Sequence, residues 1–122
     1  MNVNDYLAKR YDEPPCWLLV ADVYEHELGK TVEEYRTVTN SIRDIAAKFS
    51  LELHKGEHGF EQVEEPVDFA VVLLSQSLRK GWHHAGVFYQ GSVLHALSGG
   101  NLYQDMASLR DTYPRMEFWS RP

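Results

Sequence analysis

The chain carries one cysteine, Cys16, and places three of its six histidines in one short stretch, WHHAGVFYQGSVLHAL at residues 82–97. A thiol beside an imidazole is the pairing that produces a cysteine nucleophile. The stretch has the pattern of a β-hairpin, and a histidine on the inner face of a hairpin must find partners for two ring nitrogens. The residue types therefore indicate either rim histidines that face water, or a catalytic base together with the residue that orients it.

The register of this hairpin decides which histidines meet. With residues 90–91 as a two-residue loop, side-chain alternation places His84 and His95 on one face and His83 on the other. His84 and His95 are then diagonal neighbours with Cα atoms roughly 7 to 8 Å apart, and Gly86 is expected to leave open space beside them. A four-residue loop keeps this assignment, whereas a three-residue loop would nominate His83 instead.

Cys16 lies at the start of a predicted helix. Pro14 and Pro15 fit just ahead of or within a first helical turn, Gly29 provides a stop, and apolar residues between them recur at three- and four-residue steps. A helix N-terminus and a nearby imidazolium both favour thiolate, lowering a thiol pKa from about 8.5 toward roughly 3.5 to 7.5. We therefore expect a partly exposed, activated thiol, and a buried small hydrophobe is the alternative.

The remaining patterns predict a single α+β domain over residues 1–122. A capping pair at residues 41–44 begins a second helix, and residues 60–63 form a short strand. The apolar run DFAVVLLS, beginning at Asp68, has the length and β-branched content of a strand buried on both faces. Asp105 caps a short helix, and RMEFWSR closes the chain as a strand. Helices followed by antiparallel strands are typical of an α+β fold.

Composition argues against several classes of function. Twelve Lys and Arg against eighteen Asp and Glu give a formal net charge of −6, without a basic run that would bind a phosphate backbone, so no nucleic-acid partner is expected. The start lacks the apolar stretch of a signal peptide, and FAVVLL is too short to cross a bilayer. Synthesis in the cytoplasm and no membrane span are expected.

No cofactor or metal is expected either. A single cysteine excludes a multi-thiolate zinc site. His54 and His58 have the spacing of helical metal ligands, but Gly56 between them disfavours a helix and no carboxylate is an obvious third ligand.

Three stretches together resemble the NlpC-type cell-wall cysteine peptidases, which belong to a papain-like superfamily, and within them the small versions encoded with phage tail assembly genes. In that family a cysteine opens a helix, a strand reading like His-Val-Gly-Ile-Tyr lies well downstream, and a later strand ends in Leu-His-Ala. The corresponding stretches here are PCWLLVADVYEHELG, HAGVFY and VLHA. The resemblance spans nearly the whole chain, although Pro15 stands where the family usually has Asp, and Val67 where it usually has Gly.

The resemblance implies a papain-like NlpC-type fold, with N-terminal helices packed on an antiparallel sheet and a Cys-His-His triad. Cys16 would be the nucleophile, His84 the base and His95 the third polar residue. Tyr11 resembles the family's tyrosine ahead of the cysteine and is expected to bind substrate. Trp82 is a second candidate substrate contact because it lies close in the sequence to His84 and hence near the proposed cleft.

The implied reaction is hydrolysis of a peptide bond in the peptidoglycan stem, typically the γ-D-glutamyl to diamino-acid link, without a metal. The implied partners are the stem peptide and phage tail proteins, and the implied location is a virion tail acting in the cell-wall compartment. Local action also fits the negative charge, because wall polymers are anionic and would repel a freely diffusing lysin. Two alternatives stay open: a catalytically inactive structural tail-assembly protein, and a delivered toxin-like cell-wall amidase.

Overall fold

Strands of one antiparallel sheet, with helices packed on its two faces, account for the main apolar runs of the sequence. The computed structural model describes residues 1–13, 15–32 and 59–121. In chain order the elements are α1 (Val3–Leu7), α2 (Pro15–Leu28), β1 (Glu61–Val63), β2 (Val71–Ser75), β3 (His84–Tyr89), β4 (Ser92–Leu97), β5 (Gly100–Asp105), α3 (Met106–Thr112) and β6 (Arg115–Ser120). Neighbouring strands in the sheet follow the order β1-β6-β2-β3-β4-β5. The predicted α+β class is confirmed.

Helix α2 forms where the proline, glycine and apolar spacing predict it. Pro15 is its first residue, where the missing N–H costs no hydrogen bond, and Gly29 follows its end with a positive φ of 63°. The side chains that this helix buries are those of Pro15, Cys16, Trp17, Leu19, Val20, Val23 and Tyr24. They form one face of a cluster with β2, β3 and β4, so packing against the sheet stabilises the helix.

Strand β2 is buried at all five positions, as the continuous apolar run predicts. Its side chains alternate between the two faces of the sheet, with Leu73 in the cluster around α2 and Leu74 in a second cluster with Leu109 of α3. The strand begins later than predicted, because a turn precedes it. Asp68 lies in that turn, where its carboxylate accepts a hydrogen bond of 2.8 Å from the backbone N–H of Gln90.

The hairpin of β3 and β4 has the predicted two-residue loop and register, with Tyr89 paired to Ser92. The paired residues of these two strands extend only to Val87 and Leu94. The expectation of open space beside Gly86 is wrong. A Cβ built on this glycine would lie 2.7 Å from Val93 Cγ1, 2.8 Å from the Leu94 carbonyl oxygen and 3.1 Å from His95 Cβ, so backbone and side chains already fill the space.

Several further predictions fall on particular elements. The short strand at residues 60–63 and the closing strand are confirmed as β1 and β6, and Asp105 caps α3 by accepting a hydrogen bond of 2.8 Å from Ser108 N. Strand β5 was not predicted. The helix expected from residue 41 and the pair His54 and His58 lie outside the described residues. None of the described helices has the length and apolar character needed to span a bilayer.

We predict that Gly86→Ala destabilises the protein, because the new methyl group would lie too close to the Leu94 carbonyl oxygen and the Cβ atom of His95. Overpacking of this kind costs roughly 1 to 3 kcal/mol in free energy of unfolding. Urea denaturation measures the change. Gly99→Ala is the matched control, because nothing lies within 4 Å of a Cβ at that position. Equal stability of the Gly86 and Gly99 variants would contradict the close packing at β3 and β4.

Candidate active site

The centre of the candidate site is a direct contact between two buried imidazoles. His84 is the first residue of β3, and His95 lies on β4 as its diagonal neighbour. The Nε2 atom of His84 lies 2.8 Å from the Nδ1 atom of His95, and the two rings meet edge to face with centroids 5.0 Å apart. The side chains are 6% and 1% exposed. The predicted pairing of these two histidines is therefore present, and neither is a rim residue.

Gln104 extends this contact onto a third strand. It lies on β5, diagonal to His95, since the register pairs His95 with Leu102 and Val93 with Gln104. Its side-chain oxygen Oε1 lies 2.6 Å from His95 Nε2. Three adjacent strands therefore each contribute one member of a hydrogen-bonded chain, His84–His95–Gln104. Sequence reasoning missed Gln104 because it did not predict the strand that carries it.

Tyr113 is a second residue that sequence reasoning missed. It directly follows α3, and its ring stacks on the His84 imidazole with centroids 5.2 Å apart and an interplanar angle of 19°. His83 contacts the same tyrosine ring, but its Nε2 accepts a hydrogen bond of 2.9 Å from the backbone N–H of Gln76. The structure thus gives the two neighbouring histidines different surroundings, with His84 bound to another imidazole and His83 to the backbone of a loop.

Cys16 lies in the first turn of α2, as predicted, but it is only 2% exposed. The expectation of a partly exposed thiol is wrong, because Cys16 packs in the buried cluster between α2 and the sheet. Cys16 and His84 line the same small cavity. Backbone amides, including that of Ala85 next to His84, act on the thiol in the direction that favours its thiolate form.

The cavity beside Cys16 is small and open to solvent, and polar contacts join two of the segments that line it. Its lining consists of Glu13, Pro15, Cys16, His84, Ala96, Leu97 and Ser98, and its volume is about 140 Å³. The Ser98 hydroxyl donates a hydrogen bond of 3.0 Å to the Glu13 carboxylate. Arg10 Nη1 lies 3.4 Å from the Gly99 carbonyl oxygen, a second contact between the same segments. These contacts hold the segment before α2 against the segment after β4.

Burial favours the uncharged form of every titratable group at the centre of the site. Desolvation raises the pKa of the Cys16 thiol to about 12, although backbone amides from Ala85, Trp17 and Cys16 itself act in the opposite direction. Desolvation, together with repulsion from His95 and His83, lowers the pKa of His84 to about 3. The expected lowering of the thiol pKa is therefore wrong for this buried arrangement, in which a thiol and a neutral imidazole line the same cavity.

Burial also favours a neutral His95 ring. Burial lowers its pKa, and the hydrogen bond to Gln104 opposes that effect only in part. A ring that keeps a single hydrogen can donate from one nitrogen and accept at the other.

Neither residue predicted to bind substrate lines the cavity of Cys16. Tyr11 donates a hydrogen bond of 2.6 Å to Asp22, which also forms a salt bridge of 2.8 Å with Lys9. Burial and this hydrogen bond raise the pKa of the Tyr11 hydroxyl. Trp82 packs against the cluster around α2, and the guanidinium of Arg115 lies over its ring at 4.9 Å. The structure thus places both aromatic residues in contacts that hold the fold together.

Across residues 1–13, 15–32 and 59–121, no group of three or more His, Cys, Asp or Glu side chains could hold a metal ion. Comparison of the chain with protein-family models, with curated proteins and with solved structures gave no match. The site is therefore interpreted from its own geometry.

We predict that iodoacetamide alkylates Cys16 slowly in the folded protein, with a midpoint above the value of about 8.5 for a free thiol. Burial, which favours the thiol over the thiolate, is the reason. Mass spectrometry of the alkylated protein across pH measures the midpoint, and the urea-unfolded protein gives the free-thiol reference.

Ser98→Ala should speed alkylation at a fixed pH, because it removes the hydrogen bond to Glu13 at the cavity. Ser92→Ala is the matched control, since Ser92 lies at the other end of β4. A midpoint below about 8.5 in the folded wild type would contradict a buried, neutral thiol.

Proposed function

We propose that this protein is a cysteine peptidase of the papain-like NlpC type that hydrolyses a peptide bond of the peptidoglycan stem. One observation carries the proposal. His84 lines the same cavity as the only cysteine of the chain, and the Nε2 atom of His84 is hydrogen-bonded to His95. A nucleophile, a base and a residue that orients the base are the parts that acyl transfer requires.

The reaction divides into two transfers of the acyl group. The Cys16 sulfur attacks the carbonyl carbon of the substrate, and His84 takes the thiol proton. His84 then gives this proton to the leaving amine as the carbon–nitrogen bond breaks, which leaves a thioester on Cys16. Water hydrolyses the thioester with His84 again as base, releasing a carboxylic acid and the free thiol.

Stabilisation of the oxyanion falls to backbone amides. Cys16 lies in the first turn of α2, where amide N–H groups have no partner within the helix. The N–H of Cys16 is the proposed donor to the developing oxyanion, and the positive end of the helix supports it.

Proton transfer accompanies the attack in this scheme. Burial disfavours a separate thiolate and a separate imidazolium, so the resting site holds a thiol and a neutral base. Stacking of Tyr113 on the His84 ring can stabilise the imidazolium that forms during the attack. Because Cys16 is 2% exposed, substrate binding must also move residues that pack around the thiol.

The resemblance to small tail-encoded peptidases supports the γ-D-glutamyl to diamino-acid link as substrate and tail proteins as partners. Local action at the cell wall follows from the same resemblance and from the net charge of −6.

One observation favours a second candidate, a structural tail-assembly protein that keeps the fold without the activity. Cys16 is 2% exposed, and the cavity of about 140 Å³ is far smaller than a stem peptide would need. A protein in which Cys16 never becomes accessible to a substrate would have no turnover.

We predict that purified peptidoglycan digested with the wild type yields new stem-peptide fragments, whereas Cys16→Ala yields none. Mass spectrometry identifies the fragments and hence the bond. His84→Ala should lower turnover roughly a hundredfold or more, the usual scale for loss of a general base. His83→Gln is the matched control and should keep turnover nearly intact, because it retains an acceptor for the Gln76 N–H.

In the same assay, His95→Asn should keep more activity than His95→Ala, because an amide can still accept a hydrogen bond from His84. Equal losses in the His83 and His84 variants would mean that the wrong histidine is assigned as base. Absence of fragments from the wild type would favour the structural role.

A further inference from the structure

Gln104 lies behind the two histidines and away from the cavity that holds Cys16. Its distance of 2.6 Å from His95 is the shorter of the two contacts that His95 makes within the His84–His95–Gln104 chain. The resemblance to the peptidase family assigns no role to this position, and the proposed reaction does not use it.

The orientation of the Gln104 amide determines where hydrogens lie along the chain. An amide oxygen only accepts hydrogen bonds, so His95 Nε2, which faces Oε1, must donate. The neutral His95 ring then has no hydrogen on Nδ1, and this atom accepts from His84 Nε2. His84 in turn keeps no hydrogen on its own Nδ1, which leaves that nitrogen with a free lone pair.

We infer that Gln104 is a positioning residue that holds both histidines in the tautomer in which His84 Nδ1 can act as the base toward Cys16. This inference rests on the proposed function for its role in catalysis. Gln104 acts through His95 and touches neither the substrate nor the reacting atoms. In metal sites a group that receives the second N–H of a histidine fixes the tautomer in the same way.

Loss of the acceptor at Gln104 would release the opposite arrangement. His95 could then carry its hydrogen on Nδ1 and donate to His84 Nε2. His84 would hold its hydrogen on Nδ1, where it could no longer take a proton from Cys16. The two arrangements have the same heavy-atom positions and differ only in hydrogens, so Gln104 selects between them without changing the fold.

Imidazole nitrogen chemical shifts from two-bond ¹H–¹⁵N correlation NMR distinguish the two arrangements directly. In the wild type near pH 7.5, we expect both His84 and His95 to carry their hydrogen on Nε2. Gln104→Met keeps the length of the side chain but removes the acceptor, and should shift both rings toward the Nδ1–H tautomer. Gln104→Glu retains an acceptor and should preserve Nε2–H on both rings.

Gln62→Met is the matched control, because Gln62 is an exposed residue of β1 at the opposite edge of the same sheet. It should leave the histidine signals unchanged. A wild-type His95 with its hydrogen on Nδ1 would overturn the inference even if no variant folds, since a reversed amide would then be donating to Nε2. Unchanged tautomers in folded Gln104→Met would also overturn it.

These spectra can be recorded without catalytic turnover. They therefore test the tautomers of His84 and His95 even if the proposed peptidase activity is absent. Where activity is present, Gln104→Met should lower kcat roughly 10- to 100-fold with KM unchanged, the usual range for a residue that supports a functional histidine. Gln104→Glu should keep most of the wild-type kcat. It should also shift the pH–rate profile, because a carboxylate stabilises a protonated histidine in the hydrogen-bonded chain.

Discussion

The hydrogen bond between the His84 and His95 rings is the constraint on which the rest of the site depends. It requires a fixed register between two strands. It also requires a residue without a side chain at position 86, because a Cβ there would lie too close to Leu94 and His95. It also determines which nitrogen of His84 remains for Cys16. Packing of α2 on the sheet then brings the thiol to the same cavity, so local register and tertiary packing each supply one part.

Desolvation is the second physical effect that shapes the site. A buried thiol and buried imidazoles both favour their uncharged forms, and each separate charge would cost several kcal/mol in such surroundings. Proton transfer from Cys16 to His84 as the sulfur forms its bond to carbon avoids a free thiolate, which makes a coupled attack compatible with burial. Burial of Cys16 and His84, which are 2% and 6% exposed, maintains this neutral resting state.

The parts of the site that were predicted depend on short-range rules. Side-chain alternation and loop length are local, so the pairing of His84 and His95 could be derived from the hairpin alone. Proline and glycine likewise located α2. Gln104 was missed although β5 forms a local hairpin with β4, in which Leu97 pairs with Gly100, because glycine and asparagine at the start of β5 have low strand propensity. The burial of Cys16 depends on contacts between distant segments, and no local pattern encodes them.

Trapping of an acyl intermediate is the most direct test of Cys16 as the nucleophile. Wild-type protein is mixed with a γ-D-glutamyl-diamino-acid peptide, quenched in acid, and digested for peptide mapping by mass spectrometry. We expect a thioester on the peptide that contains Cys16, with a mass increase equal to the acyl fragment of the substrate. Cleavage of the substrate by the Cys16→Ala variant, or an acyl adduct on a residue other than Cys16, would contradict this assignment.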